Sequence, residues 1–117
     1  MAGVTFSLRV EMPLRLAGGS NARLHWAKRA RIVKAERKAG FLLAPRSGWM
    51  LPCVITLTRI GPRRLDSDNL AAIFKAVRDG IADRLEVDDG DPRVTWRYAQ
   101  ERGKYGVRVE FEPRAGE

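Results

Sequence analysis

The chain has 117 residues, enough for one domain with its own apolar core, and its hydrophobic (44%) and charged (31%) fractions are those of a globular rather than a disordered protein. A single cysteine, Cys53, excludes an internal disulfide, and together with the single histidine, His25, it cannot build a zinc site. The sequence has no apolar block of signal-peptide or membrane-spanning length, so we predict one domain, residues 1–117, located in the cytoplasm without membrane contact.

The net charge of +8 is unevenly distributed along the chain. Residues 1–58 carry ten of the 22 basic side chains but only Glu11 and Glu36 of the 14 acidic ones, so this half accounts for the whole excess. A concentrated basic region attracts phosphate backbones and releases counterions when it binds them. The charge therefore favours a nucleic-acid partner, with a merely solubilising basic surface as the alternative.

The first half of the chain predicts a strand, a helix and a second strand. Apolar and polar residues alternate over residues 4–11 and again over 53–58, as in strands with one buried face. Residues 23–43 contain no proline and only one glycine and are rich in helix formers. The predicted apolar stripe of this helix is Leu24, Ile32, Ala35, Ala39 and Leu42. Its neighbouring basic face is Arg31, Lys34 and Lys38, and binding to a DNA backbone and simple solvation are equally good interpretations of that face.

The second half predicts one helix and a hairpin. The helix begins near Asp68, and an apolar stripe at helical spacing continues to Leu85. Residues 94–98 and 107–111 alternate like strands and are joined by a short glycine-containing turn, so we expect them to form a β-hairpin. The order βαβαββ predicts a two-layer α+β domain. Its four-stranded sheet would be mixed but mostly antiparallel, with two helices on one side.

Paired carboxylates are the strongest chemical signal in the sequence. Asp66 and Asp68 lie one residue apart where a loop enters a helix, and Asp88 and Asp89 follow that helix. Crowded carboxylates repel one another unless a cation neutralises them, and Mg²⁺ prefers such oxygen ligands. On a basic protein this pattern suggests metal-assisted phosphodiester hydrolysis. Helix capping by Asp68 and ordinary turn chemistry at residues 88–90 explain the same residues equally well.

Three segments of the chain resemble the RusA family of Holliday-junction resolvases. Residues 63–70, RRLDSDNL, are similar to that family's basic run and Asp-x-Asp-Asn-Leu motif. Residues 75–81, KAVRDGI, are similar to its Lys-x-x-x-Asp-Ala-Leu helix segment. Residues 87–94, VDDGDPRV, are similar to the Asp-Asp segment that leads into a strand. The resemblance is specific over about residues 63–98, and the order of elements agrees with it over most of the chain.

This resemblance implies a homodimeric nuclease that requires Mg²⁺, with Mn²⁺ as a possible substitute, and cuts four-way DNA junctions. Such proteins are often encoded by phages and prophages. The family's metal-binding aspartates would correspond to Asp66, Asp68 and Asp89, with Asp88 as the adjacent alternative for the third. The functional lysine would correspond to Lys75, although the family's lysine position falls on Ala72, one helical turn earlier.

Two further predicted site residues are the arginines before the acidic pair, and two other classes of function also fit the sequence. Arg63 and Arg64 directly precede the acidic pair, so we expect them to contact DNA phosphates. A nucleic-acid-binding protein of the same fold without catalysis is the alternative function, and an oligomeric scaffold or toxin-like partner protein is the third. Among the remaining residues we expect Trp26 and Trp49 to pack in the core or a dimer interface, and Trp96 and Cys53 to be core residues.

Overall fold

The computed structural model describes residues 8–16, 26–45, 51–65 and 67–114, and for Ser67 and Asp68 the backbone only. The predicted strand residues 4–7, His25, Trp49 and the side chains of Asp66 and Asp68 therefore lie outside the described part. The described elements are β1 (Leu8–Met12), α1 (Trp26–Leu43), β2 (Cys53–Gly61), α2 (Ser67–Ile73), α3 (Lys75–Leu85), β3 (Val94–Arg102) and β4 (Gly106–Pro113).

The four described strands form one mixed sheet in the order β1-β4-β2-β3. Strand β4 pairs antiparallel with both β1 and β2, whereas β2 and β3 are parallel, with Cys53 opposite Val94 and Gly61 opposite Arg102. The predicted mixed, mostly antiparallel α+β sheet is confirmed. The predicted hairpin of the last two strands is wrong, because β2 lies between β3 and β4.

The connection from β3 to β4 explains why the hairpin prediction failed. Residues 103–105 cross the end of β2 at Gly61, and the Gly103 amide donates a hydrogen bond to the Gly61 carbonyl at 3.0 Å. A Cβ atom on Gly103 would lie 3.1 Å from Ile60 Cγ2, so the connection crosses close to the side chain of Ile60. A three-residue turn with a glycine is also typical of a hairpin, so the local sequence could not separate the two arrangements.

The core lies between α3 and one face of the sheet. Alternate strand residues point into it, among them Cys53, Ile55 and Leu57 of β2, and Val107, Val109 and Phe111 of β4. The predicted burial of Cys53 is confirmed, and that burial raises the pKa of its thiol to about 11. Trp96 is half-buried and packs against the core. The intervening residues of β4, such as Arg108 and Glu110, are polar and lie on the opposite face, so the apolar core is on one side of the sheet.

Helix α1 packs against α3 through glycines. A Cβ atom on Gly40 would lie 2.0 Å from the Val77 carbonyl oxygen, and one on Gly80 would lie 1.9 Å from the Arg37 carbonyl oxygen. The two backbones therefore touch directly. The predicted apolar stripe of α1 is partly wrong for this reason. Leu42 is 63% exposed, and the buried residues of α1 are Glu36, Ala39, Gly40 and Leu43.

The single second helix of the prediction is two helices in the structure. It is interrupted at Phe74, which has φ −90° and ψ −2°. The Phe74 amide bonds to the Leu70 carbonyl at 3.1 Å, and the Arg78 amide bonds to the Phe74 carbonyl at 2.8 Å. Helical hydrogen bonding thus resumes at once, and buried apolar residues continue on both sides. The apolar spacing of the sequence could therefore not reveal the interruption.

Candidate nucleic-acid and metal site

The loop that leads from β2 to the acidic pair is held by two side chains. The Gln100 side chain of β3 accepts a hydrogen bond from the Leu65 amide at 2.9 Å and donates one to the Leu65 carbonyl at 2.8 Å. Arg59 donates to the Arg63 carbonyl at 2.5 Å. Gln100 therefore pairs with Leu65 as a neighbouring strand would, and it fixes the residue that directly precedes Asp66.

This loop forms one wall of a basic cleft. The cleft has a volume of about 490 Å³ and lies at the carboxyl ends of the parallel strands β2 and β3. Its lining residues are Gly61, Pro62, Arg63, Arg64, Gln100, Glu101 and Arg102.

Among the described lining residues of the cleft, one acidic side chain, Glu101, is outnumbered by three arginines. Glu101 accepts two hydrogen bonds from Arg108, at 2.8 and 3.2 Å, and these lower the pKa of Glu101. Arg108 also donates a hydrogen bond of 2.7 Å to Glu11, so its charge is shared between two carboxylates and Glu101 is only partly neutralised. The cleft presents the charges of Arg63, Arg64 and Arg102, which suit a phosphate ligand.

The predicted metal ligands are only partly within the described structure. The backbone of Asp68 lies in the first turn of α2, whereas Asp66 and the Asp68 side chain lie outside the described part. Among the described residues, no three acidic, histidine or cysteine side chains are grouped closely enough to hold a metal ion. The three-carboxylate site therefore stays a prediction.

Of the three aspartates between α3 and β3, Asp91 stabilises the loop itself. Its carboxylate accepts a hydrogen bond from the Arg93 amide at 2.9 Å and pairs with the Arg93 guanidinium at 2.8 and 3.1 Å. These bonds lower the pKa of Asp91 to about 2. Because Asp91 closes its own turn, it is a poor candidate for a metal ligand. Asp88 is exposed.

Asp89 lies against α3 beside Arg78. The Arg78 Nε is 2.9 Å from Asp89 Oδ1 but is not aligned for a hydrogen bond, so this contact is an electrostatic one. An aligned hydrogen bond of 2.9 Å joins the Arg78 Nη2 to the Asp89 carbonyl. The Asp89 side chain is 65% exposed, and its neighbour Arg78 is positively charged. Its hard oxygen donors fit the chemistry of a Mg²⁺ ligand.

Lys75, the predicted functional lysine, begins α3 and is exposed. Its side chain is 72% accessible and forms an ion pair with Asp79 at 3.2 Å. Asp68 belongs to α2 and Lys75 to α3, and the two helices are separated at Phe74. The spacing of a continuous helix therefore does not predict whether the two residues lie on the same face. At this exposure the Lys75 side chain remains accessible to a phosphate beside its contact with Asp79.

The predicted basic face of α1 is present at the surface. Arg31, Lys34 and Lys38 are all exposed, and Glu36, the one acidic residue of α1, is buried. Trp26 at the start of the helix is 76% exposed, so the expectation that it packs in the core of the chain is wrong. Its exposure at one end of a basic helix suits an interface with a partner molecule.

Sequence reasoning missed the roles of Arg78, Gln100 and Arg102. Their contacts join residues far apart in the chain: Gln100 meets Leu65 across 35 positions, and Arg78 meets Tyr98 across 20. No local spacing encodes such pairs. An available signal was the position of Arg78 within residues 75–81, a segment that resembles a family motif.

Comparisons with known proteins give little functional information. No model of a known protein family matches the chain. An uncharacterized protein of Xylella fastidiosa is 41% identical over 78 residues, which cover 59% of this chain and 51% of that protein. The chain thus matches about half the length of this curated relative. In the described part of the chain, no helix is long and apolar enough to cross a membrane.

Proposed function

We propose that this protein is a Mg²⁺-dependent endodeoxyribonuclease of the RusA type that resolves four-way DNA junctions during recombination or repair. The observation that carries the proposal is the arginine-lined cleft directly before the acidic pair. Only Leu65 lies between the Arg63–Arg64 pair and Asp66, and Gln100 holds Leu65 in place. A phosphodiester bound by the arginines would lie next to the carboxylates that the family resemblance marks as metal ligands.

The division of labour follows from the charges of the residues. Asp66, Asp68 and Asp89 would hold the cation, with Asp88 as the neighbouring alternative. A bound Mg²⁺ would polarise the phosphate and lower the pKa of an attacking water. Arg63, Arg64 and Arg102 would bind the DNA backbone, and Lys75 would offset charge that develops on the scissile phosphate. Arg31, Lys34 and Lys38 of α1 would bind a second part of the backbone.

A homodimer fits the proposed substrate. A four-way junction is nearly two-fold symmetric and requires two incisions for resolution. A C2 dimer supplies two active sites in the matching arrangement. The dimer rests on the family resemblance, and sedimentation analysis of the purified chain tests it.

The decisive experiment is cleavage of a labelled four-way junction, beside a linear duplex of the same sequence, in Mg²⁺ and in Mn²⁺. We expect paired nicks in the junction alone, and their loss in Asp68→Asn. Asp83→Asn is the matched control, because Asp83 pairs with Arg37 far along the chain from the acidic pair. A wild-type protein that neither binds nor cuts the junction contradicts the proposal.

The salt dependence of binding tests the cleft separately from catalysis. The logarithm of the binding constant falls as the logarithm of the salt concentration rises. Replacing an arginine that contacts a phosphate should make this slope less steep by about 1. We therefore expect Arg102→Ala to reduce the slope for junction binding. Arg97→Ala, an exposed arginine of β3 outside the cleft, serves as the control. Equal slopes for the two variants would remove Arg102 from the binding surface.

One specific feature favours a binding protein without catalysis. The family's lysine position is occupied by Ala72, and Lys75 is paired with Asp79. Tight junction binding without cleavage in either metal is the outcome that this alternative predicts.

A further inference from the structure

The topology separates the two acidic segments of the proposed site. Strands β2 and β3 are parallel, so Gly61, which leads to Asp66, lies at one end of the pair. The loop that carries Asp89 enters β3 at Val94, beside Cys53 at the opposite end. A strand of nine residues spans roughly 30 Å, so the two segments would lie far apart if the second loop simply entered its strand.

The chain reverses direction at the end of α3. Glu86 has the left-handed conformation, with φ 58°. The Glu86 amide bonds to the Asp83 carbonyl at 3.2 Å, and the Val87 amide bonds to the Ala82 carbonyl at 3.0 Å. This is the hydrogen-bond pattern that commonly ends helices and turns the chain back. The loop after α3 therefore turns back along this helix, toward its first residues.

Arg78 is the residue that receives the returning loop. It precedes the last residue of α3 by about two turns, or roughly 10 Å along the helix axis. Its guanidinium contacts both the carboxylate and the carbonyl of Asp89, each at 2.9 Å. Asp89 is thereby held beside the first half of α3, the half of the helix that follows α2 in the chain.

The guanidinium itself is fixed by strand β3. The Arg78 Nη1 donates a hydrogen bond to the Tyr98 hydroxyl at 2.8 Å, and the guanidinium carbon lies 4.6 Å from the centre of the Trp96 ring. The side chain is only 24% exposed. A lysine has the charge but lacks the planar group that makes these contacts at once.

We propose that Arg78 is a positioning residue that holds Asp89 in place as the third ligand of the divalent-cation site. The inference rests on the proposed function, since it assumes that Asp89 binds the metal. Arg78 acts through Asp89 and does not touch the metal or the DNA. Residues that orient metal ligands typically change metal affinity by 10- to 100-fold when they are replaced.

The test is a titration of the metal-free protein with Mn²⁺, in which the electron paramagnetic resonance signal of free Mn²⁺ measures binding. We expect Arg78→Ala to weaken binding by roughly 10-fold or more, and Arg78→Lys to restore only part of it. Arg37→Ala is the matched control, because it removes a bidentate ion pair from the same helix at Asp83 and should leave Mn²⁺ affinity unchanged.

Hydrogen exchange measured without metal gives a second, independent result. Amides of residues 87–91 should exchange faster in Arg78→Ala than in the wild type, whereas Arg37→Ala should not alter them. If Arg78→Ala does not fold, Tyr98→Phe is the second variant. It keeps the ion pair between Arg78 and Asp89 and removes the hydrogen bond from Arg78 to the Tyr98 hydroxyl. A smaller loss of Mn²⁺ affinity in that variant then supports the proposal, and unchanged affinity contradicts it.

The outcomes separate this inference from the proposed function. Suppose that Asp68→Asn and Asp89→Asn both lose the metal. If Arg78→Ala then binds Mn²⁺ as tightly as the wild type, or more tightly, the positioning role is overturned. If neither aspartate variant alters Mn²⁺ binding, the metal site of the proposed function fails and the inference fails with it.

Discussion

The side chain of Gln100 should stabilise the whole domain as well as the loop before Asp66. Replacing it with methionine keeps the length of the side chain and removes both hydrogen bonds to Leu65. A hydrogen bond contributes about 0.5–1.5 kcal/mol, and water can reach these half-buried groups again in part. We therefore expect Gln100→Met to lower the free energy of unfolding by about 2 kcal/mol. For a domain of this length that corresponds to a fall in Tm of roughly 8–10 °C.

Urea unfolding and hydrogen exchange measure this effect. The midpoint should fall without a change in slope, and the Leu65 amide should exchange faster, because it has lost its acceptor. Arg97→Met is the control, since it places the same side chain on the opposite, exposed face of β3 and should change stability by less than about 0.5 kcal/mol. A Gln100→Met variant as stable as this control would refute the reasoning.

Three further predictions concern packing and titration. Gly80→Ala should lower the free energy of unfolding by roughly 2 kcal/mol or more in urea, because its Cβ would lie 1.9 Å from the Arg37 carbonyl and only about 1 kcal/mol is regained from helix propensity. Cys53, with its pKa raised to about 11, should react with a thiol reagent at pH 8 only after denaturation. The pKa of Asp91 is lowered to about 2, so Asp91 stabilises the fold above the unfolded value of about 4, and this is lost as the pH falls toward 2. Asp91→Asn should therefore be less stable than the wild type at pH 6 in thermal unfolding, and the difference should shrink as the pH falls from about 4 to about 2.

The sequence predicted elements well and their partners poorly, for physical reasons. Strand alternation depends on local burial, so β2 and β4 were found where they lie. The neighbours of a strand depend on distant residues, and the β3–β4 connection crosses β2 where the sequence favours a hairpin. The buried face of α1 was partly misplaced because its closest contact is made by Gly40, and hydrophobic patterns do not mark glycine.

The candidate site shows the same division. The arginines before Asp66 were expected to bind phosphate, and Arg63 and Arg64 do line a basic cleft. The opposite wall of that cleft comes from Arg102, which the register of two parallel strands brings beside Gly61. Nothing in the spacing of residues 61 and 102 predicts that they meet. The residue types of a site can thus be read from the sequence, whereas the supports of the site depend on the fold.

Both halves of the proposed site depend on one face of strand β3. Trp96, Tyr98 and Gln100 alternate along it, and the first two fix Arg78 while the third fixes Leu65. Strand β3 is at the edge of the sheet and pairs only with β2 among the described strands. A shift of its register by one residue would turn all three side chains to the other face at once. The position of Leu65 and the position of Asp89 are therefore coupled through the pairing of β3 with β2, although the two residues lie far apart along the chain.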